Sequence, residues 1–235
     1  MATKHKLRTW SIVAVVVLLL GVVGGPFVYI HYIEKKAPKK LDVSTATIPA
    51  SNSSAANAAP VPVTGTWKAG APGTLVGYRV KENLFGQNTT AYGRTSSVTG
   101  TLTIAGTKAT AASFTADLTT VHSDQSQRDA QFQGRIMDTA QFPHATFTLT
   151  SPIDFGTVPA PGKTITASAT GKLTLKGTTK TVTFPVKAVR KGALLEVSGQ
   201  IPIVFADYNI DNPSFSGVTT QDHGILEFLL VMSKP

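Results

Sequence analysis

The chain has 235 residues, 42% of them hydrophobic and 15% charged, with 20 Gly, 14 Pro and no Cys, a length that suits one large domain or two small ones. Without cysteine there is no disulfide framework, thiolate metal site, thiol nucleophile or cysteine-linked lipid anchor, and glycine lacks the every-third-residue period of collagen. The formal charge of +9 gathers at the start: residues 1–40 carry seven Lys/Arg against Glu34 alone, whereas residues 41–235 carry 15 against 12, so no basic face tracks phosphates and no nucleic-acid partner is expected.

Residues 1–9 form a short basic tail. From Trp10 to Ile33 no residue is formally charged, and at a helical rise of about 1.5 Å this stretch spans about 36 Å, enough for a hydrocarbon core near 30 Å. A transmembrane signal-anchor helix is predicted over 10–33. A cleaved signal peptide is the rival reading, but the apolar stretch exceeds the usual ~7 to 15 residues, and Pro26 directly follows the small pair Val23 and Gly25. Three Lys/Arg precede the segment and four follow it, so flanking charge does not decide the topology.

Residues 34–64 (EKKAPKKLDVSTATIPASNSSAANAAPVPVT) replace large apolar residues with Ala, Ser, Thr, Asn and Pro. Such a segment offsets little of its ordering entropy and is expected to be a flexible, disordered linker.

From Gly65 to the end, short runs alternate apolar and small polar residues between Gly, Pro and Asn breaks. Ser113–Thr119 sends Phe114, Ala116 and Leu118 to one face; Ala145–Leu149 does so with Ala145, Phe147 and Leu149. Lys172–Lys176 does so with Leu173 and Leu175, and Thr181–Ala188 with Val182, Phe184, Val186 and Ala188. Further strands are predicted at 76–80, 98–104, 194–205 and 224–232. About eight strands with short turns and no alternating βα units predict an antiparallel all-β domain over 65–235, closed as a barrel or covered as a sandwich. One segment breaks the rhythm: Ser123–Pro143 carries Phe132, Ile136 and Met137 at helical spacing, with Ser123 or Asp124 as N-cap. It reads as one short helix or two turns across a barrel mouth.

The chemistry-bearing residues are sparse. The domain's histidines, His122, His144 and His223, form no short-range ligand pair, and no metal or cofactor is expected. GxSxG, Walker and Rossmann patterns are absent, and the chain does not read as an enzyme; only a buried cluster of Arg128, Asp129 and His122 would revive that reading. Arg128 and Asp129 either brace a loop or meet a polar head group at the mouth. Phe85, Phe114, Phe132, Phe142, Phe147, Phe184, Phe205 and Phe228 sit mostly on inward phases. They either fill an ordinary core or line a hollow barrel holding a long apolar guest, where each buried methylene contributes about 0.8 kcal/mol.

Four pieces in order carry a resemblance: GYRVKE (Gly77–Glu82); Ser123–Asp129 followed by Phe142-Pro143 and ATFTLTS; GKLTLKGTTKTVTFPV (Gly171–Val186); and FADYNIDNP (Phe205–Pro213). From Trp67 to the C-terminus the chain resembles the YceI-like family of lipocalin-shaped, polyisoprenoid-binding proteins. The resemblance implies an extended antiparallel lipocalin-like β-barrel whose tunnel holds an isoprenoid tail, quinone or polyprenyl, on the extracytoplasmic side of the cell membrane. Glu82-Asn83 stands where the family often has a histidine, and Asp207-Tyr208 where Asp-Phe is common. The lipid-binding candidates are Phe114, Leu118, Phe132, Ile136, Phe142, Phe147, Leu173, Leu175, Phe184 and Phe205, and Arg128, Asp129 and Tyr208 are candidates for head-group contact. Family members that bind long tails often pair, which keeps a homodimer open. The competing expectation is a filled barrel that presents its surface to a protein or envelope polymer.

Overall fold

The computed structural model describes residues 37–44, 46, 49–84, 86–214 and 217–235; the basic tail, the span expected at 10–33 and Phe85 lie outside them. Among the described residues no helix is long and apolar enough to cross a membrane.

The strands are β1 (Gly65–Ala69), β2 (Leu75–Leu84), β3 (Gln87–Thr95), β4 (Val98–Ala105), β5 (Lys108–Asp117), β6 (His144–Leu149), β7 (Ile153–Asp154), β8 (Ile165–Leu175), β9 (Thr178–Lys191), β10 (Leu194–Val204), β11 (Val218–Thr220) and β12 (His223–Ser233). β1 and β2 continue one another, broken at Gly70 and Gly73, whose φ values of 106° and 96° suit glycine. β3 and β4 continue one another likewise, pairing with β2 and β1 respectively. Counted this way, the antiparallel ring has eight staves: β1/β2, β3/β4, β5, β6, β8, β9, β10 and β12. It closes where β12 pairs with both β1 and β2. The seams are incomplete near the mouth: β3 pairs with β2 alone apart from the Arg94–His122 bridge, and β9 pairs with β10 over 186–191 only, leaving 178–185 without a strand partner on that side.

Alternation sorts each stave into a lumen face and an outer face, as the sequence periods predict. Phe184 and Leu173 lie in the core with Phe147 and Val186 packed beside them. One end of the barrel is plugged: Trp67 and Met232 are both 0% exposed, and the Trp67 indole donates to the Val63 carbonyl at 2.8 Å. At the other end the helix α2 (Ser126–Gln131) and a π-helical turn, Phe132–Ile136, lie over the mouth. The expected N-cap does not hold. Gln125 occupies that position without a side-chain cap, while the Ser123 hydroxyl turns back onto the Gln125 backbone.

The flexible linker expected over 34–64 is corrected for its described residues, which strap the barrel's outer face. Leu41 and Val43 are buried against Val189 and Leu229, where full burial of such a side chain contributes about 1.5–3 kcal/mol. Beneath them Glu227, with its side chain 0% exposed, accepts from Arg79 Nε at 2.8 Å and Arg94 Nη2 at 2.7 Å. Its Oε2 also accepts from the Leu41 amide. The guanidiniums also reach the strap itself, Arg79 Nη2 donating to the Pro38 carbonyl and Arg94 Nη2, which it shares with Glu227, to that of Lys39. Further along, the short helix α1 (Ser53–Asn57) accepts at Ala55 from the Ala193 amide. Low complexity predicted disorder, but long-range charge pairing and two apolar contacts outweigh the segment's entropy.

Candidate functional site

The lumen contains two cavities. The larger, about 800 Å³, lies under the mouth; the smaller, about 170 Å³, lies toward the plugged end. Val76, Ala116, Ala145 and Leu226 border both, so the two are chambers on one axis. Two of these boundary residues are alanines, Ala116 and Ala145. The alternating strands place Leu118 and Leu175 on the wall of the larger chamber, and the mouth turn adds Phe132 and Ile136. Phe114, Phe147, Leu173 and Phe184 line the smaller.

The rings stay open because of glycine. A Cβ on Gly93 would meet the Tyr78 ring at 2.6 Å, on Gly100 the Phe114 ring at 2.6 Å, on Gly171 the Phe147 ring at 2.4 Å and on Gly199 the Phe228 ring at 2.6 Å. Tyr78, Phe114 and Phe228 sit directly opposite their glycines in register. Each of these rings therefore lies flat on a neighbouring strand and does not reach across the lumen. Phe184 bridges Phe147 and Phe228 edge to face, with centroids 5.4 and 5.9 Å apart.

Polar lining gathers at the mouth, where Glu82, Gln125, Gln127, Arg128 and Gln131 join the wall, while the smaller chamber has Thr146 and Arg190. Arg128 Nη1 donates to Asp124 at 2.5 Å and Nη2 to Glu82 at 3.4 Å, so two carboxylates flank one guanidinium. Tyr78 stacks on Phe132 at 5.0 Å, pinning the turn to the wall. Burial raises the Tyr78 phenol well above its ordinary value, so it faces the chamber protonated. A site of this kind accepts an elongated apolar body with a polar end.

Of the expected lipid-lining residues, Phe114, Leu118, Phe132, Ile136, Phe147, Leu173, Leu175, Phe184 and Phe205 border one chamber or the other. Phe142 does not: its ring packs over Gly177, which lies between β8 and β9, 2.7 Å from where a Cβ would stand. Of the three head-group candidates only Arg128 lines a chamber. Asp129 braces the loop, accepting from the Ser123 amide at 2.7 Å and contacting His122 Nδ1 at 3.3 Å. It is therefore turned from the lumen, and no cluster joins Arg128 with His122. Tyr208 is a core residue, and its buried hydroxyl has no partner among the described residues. Glu82 and Tyr78, both within GYRVKE but not among the expected site residues, also line the larger chamber, on the phase of β2 that faces inward. No group of three or more His, Asp or Glu side chains suited to a metal occurs among the described residues.

A model of the YceI-like domain matches residues 67–232. A polyisoprenoid binding domain from Saccharophagus degradans, implicated in plant cell wall breakdown, is 18% identical with a TM-score of 0.58, covering 72% of this chain and 98% of its own. BcnA of Burkholderia cenocepacia is 26% identical with a TM-score of 0.52, covering 67% of this chain and 94% of its own. No curated protein matches the chain.

Proposed function

The chain belongs to the YceI-like family, and on that premise we propose that its barrel binds one isoprenoid lipid, tail down the axis and head group at the mouth, as a binding protein without catalysis. The observation that carries the reading is the pair of adjoining apolar chambers, about 800 and 170 Å³. A filled barrel acting through its surface would require those walls to meet. At about 0.8 kcal/mol per buried methylene, a prenyl tail binds there without any polar contact. The binding of polyisoprenoid named for the Saccharophagus degradans domain comes to this chain as part of the proposal. Asp124 and Glu82 around Arg128 favour an uncharged head group such as a quinone over a polyprenyl phosphate, whose charge would meet more carboxylate than guanidinium. Residues 10–33 anchor the barrel to the cell membrane with its β-domain on the extracytoplasmic side.

The test is extraction and mass spectrometry of the full chain purified from its membrane, for which the expected outcome is about one prenyl lipid per barrel. Ile136→Asp, on the mouth turn that lines the larger chamber, puts an unpaired charge against the tail and is expected to lower that occupancy at least tenfold, a loss of about 1.4 kcal/mol or more. Occupancy equal to wild type in the folded variant would remove the chamber as the binding site.

A further inference from the structure

We propose that the docked strap turns the mouth of the barrel toward the bilayer, so that the larger chamber opens onto the lipid surface that supplies its guest. The inference rests on the reading that residues 10–33 span the membrane and adds to it an orientation.

Strand register sets the direction in which the strap runs. The Pro38 carbonyl is held by Arg79, which pairs with Ile225 on β12. The Leu41 amide donates to Glu227, and the Val43 amide to Ser198, which pairs with Leu229. Pro49 stands beside Gly73, where an added Cβ would lie 3.2 Å from Pro49 Cδ and 3.4 Å from Val231 Cγ2. Ala55 then meets Ala193, between β9 and β10 at the plugged end. The strap thus descends through the levels of residues 225, 227, 229 and 231 of β12, from the mouth, where that strand begins at His223, to the plug.

Its first clamped carbonyl, that of Pro38, is two residues below the start of β12 by this register and five residues, about 17 Å, below the end of β2 at Leu84. Residues 34–37 alone separate it from the proposed span, and the five steps from Ile33 to Pro38 reach at most about 18 Å fully extended. From the level of Ile225 to the end of β12 at Ser233 the wall runs about 26 Å at the strand rise of ~3.3 Å. A connection that short does not carry the plugged end to the bilayer, but it does carry the mouth. The clamp is built to hold: Glu227 is fully buried between two guanidiniums, and removing a partner from such a pair is strongly destabilising.

The chain has no cysteine, so single introduced thiols label cleanly. Val204, 47% exposed at the mouth end of β10, and Val158, 48% exposed in the loop between β7 and β8 at the other end, are suitable sites. Full-length Val204→Cys and Val158→Cys, each carrying a fluorophore, are placed in phosphatidylcholine vesicles with a quencher on the lipid head group. Several-fold stronger quenching at 204 than at 158 is expected, repeated with the exposed pair Lys81→Cys at the mouth and Lys163→Cys at the far end. Equal quenching, or more at 158, overturns the orientation. Co-flotation with the vesicles reads the anchor separately. A chain that does not float overturns the span and this orientation with it, whereas a floating chain quenched equally at both ends overturns the orientation and leaves lipid binding in the barrel untouched.

Discussion

The two halves of the barrel are built from the same staves, yet one is hollow and the other plugged. Along the hollow part, from Tyr78 at the mouth to Phe114, Phe147 and Phe228 on the smaller chamber, rings lie over glycine-bearing neighbours, and alanines stand where the chambers meet. Toward the other end, Trp67 is buried and packs with Leu195, Leu230 and Met232. Both linings are apolar and both follow period-two alternation, so hydrophobicity does not separate them. The difference lies in where each ring points: a tryptophan without a glycine to lie on fills the lumen, and a phenylalanine over glycine clears it.

The comparison is broken most severely at the plug. Trp67→Ala is expected to cost about 3–5 kcal/mol of stability, measured by urea unfolding, while the lipid bound in the mouth half of the folded fraction stays as in wild type; loss of lipid in folded protein would show that the plug and the chamber are not independent. At the boundary, Ala145→Phe should divide the two chambers at a cost of about 1–3 kcal/mol. Native mass spectrometry should then find shorter prenyl tails in place of longer ones, and an unchanged tail length would mean that the guest never passes Ala145. Gly199→Ala sharpens the contrast from the wall side. Its methyl would stand 2.6 Å from the Phe228 ring and push that ring into the lumen, so a reduced lipid occupancy with about 1–2 kcal/mol of destabilisation is expected.

The smallest effect is at the mouth, where Asp117 caps the turn Leu118–Thr120. The Thr119 hydroxyl, against the opposing effect of burial and helped by the Thr119 amide, holds this carboxyl below its ordinary value. A depressed folded value means stability that is present above the unfolded value and lost as pH falls through the folded one. Asp117→Ala should cost about 1 kcal/mol near neutrality, and the gap between mutant and wild-type melting temperatures should close below the carboxylate range. A gap constant with pH would remove the charge from the account.

Much of the wall was legible because alternation is a local signal: SFTADLT and TVTFPVKA show their lumen faces in the order of their residues. β3 was not, since QNTTAYGRT offers Thr, Asn and Gly where β2 expects a partner, and only pairing with β2 makes it a strand. The strap was hidden for a similar reason. Leu41 and Val43 are two apolar residues in a polar stretch, and their docking depends on Arg79, Arg94 and Glu227, charges that periodicity assigns to solvent. Phe142 and Tyr208 show the opposite limit: aromatic character marks burial, but whether a ring faces a cavity or a turn such as that at Gly177 is decided by tertiary packing. Arg128 and Asp129 are adjacent in sequence and on one short helix, yet successive residues of a helix point in different directions; one lines the chamber and the other ties the loop.

With Trp67 sealing the far end, whatever enters the barrel must back out through the same door. Such a vessel fills and empties like a cup, so it suits keeping a hydrophobic molecule or returning it to the surface that gave it up. Relaying the molecule end to end toward a second compartment would call for an open pipe.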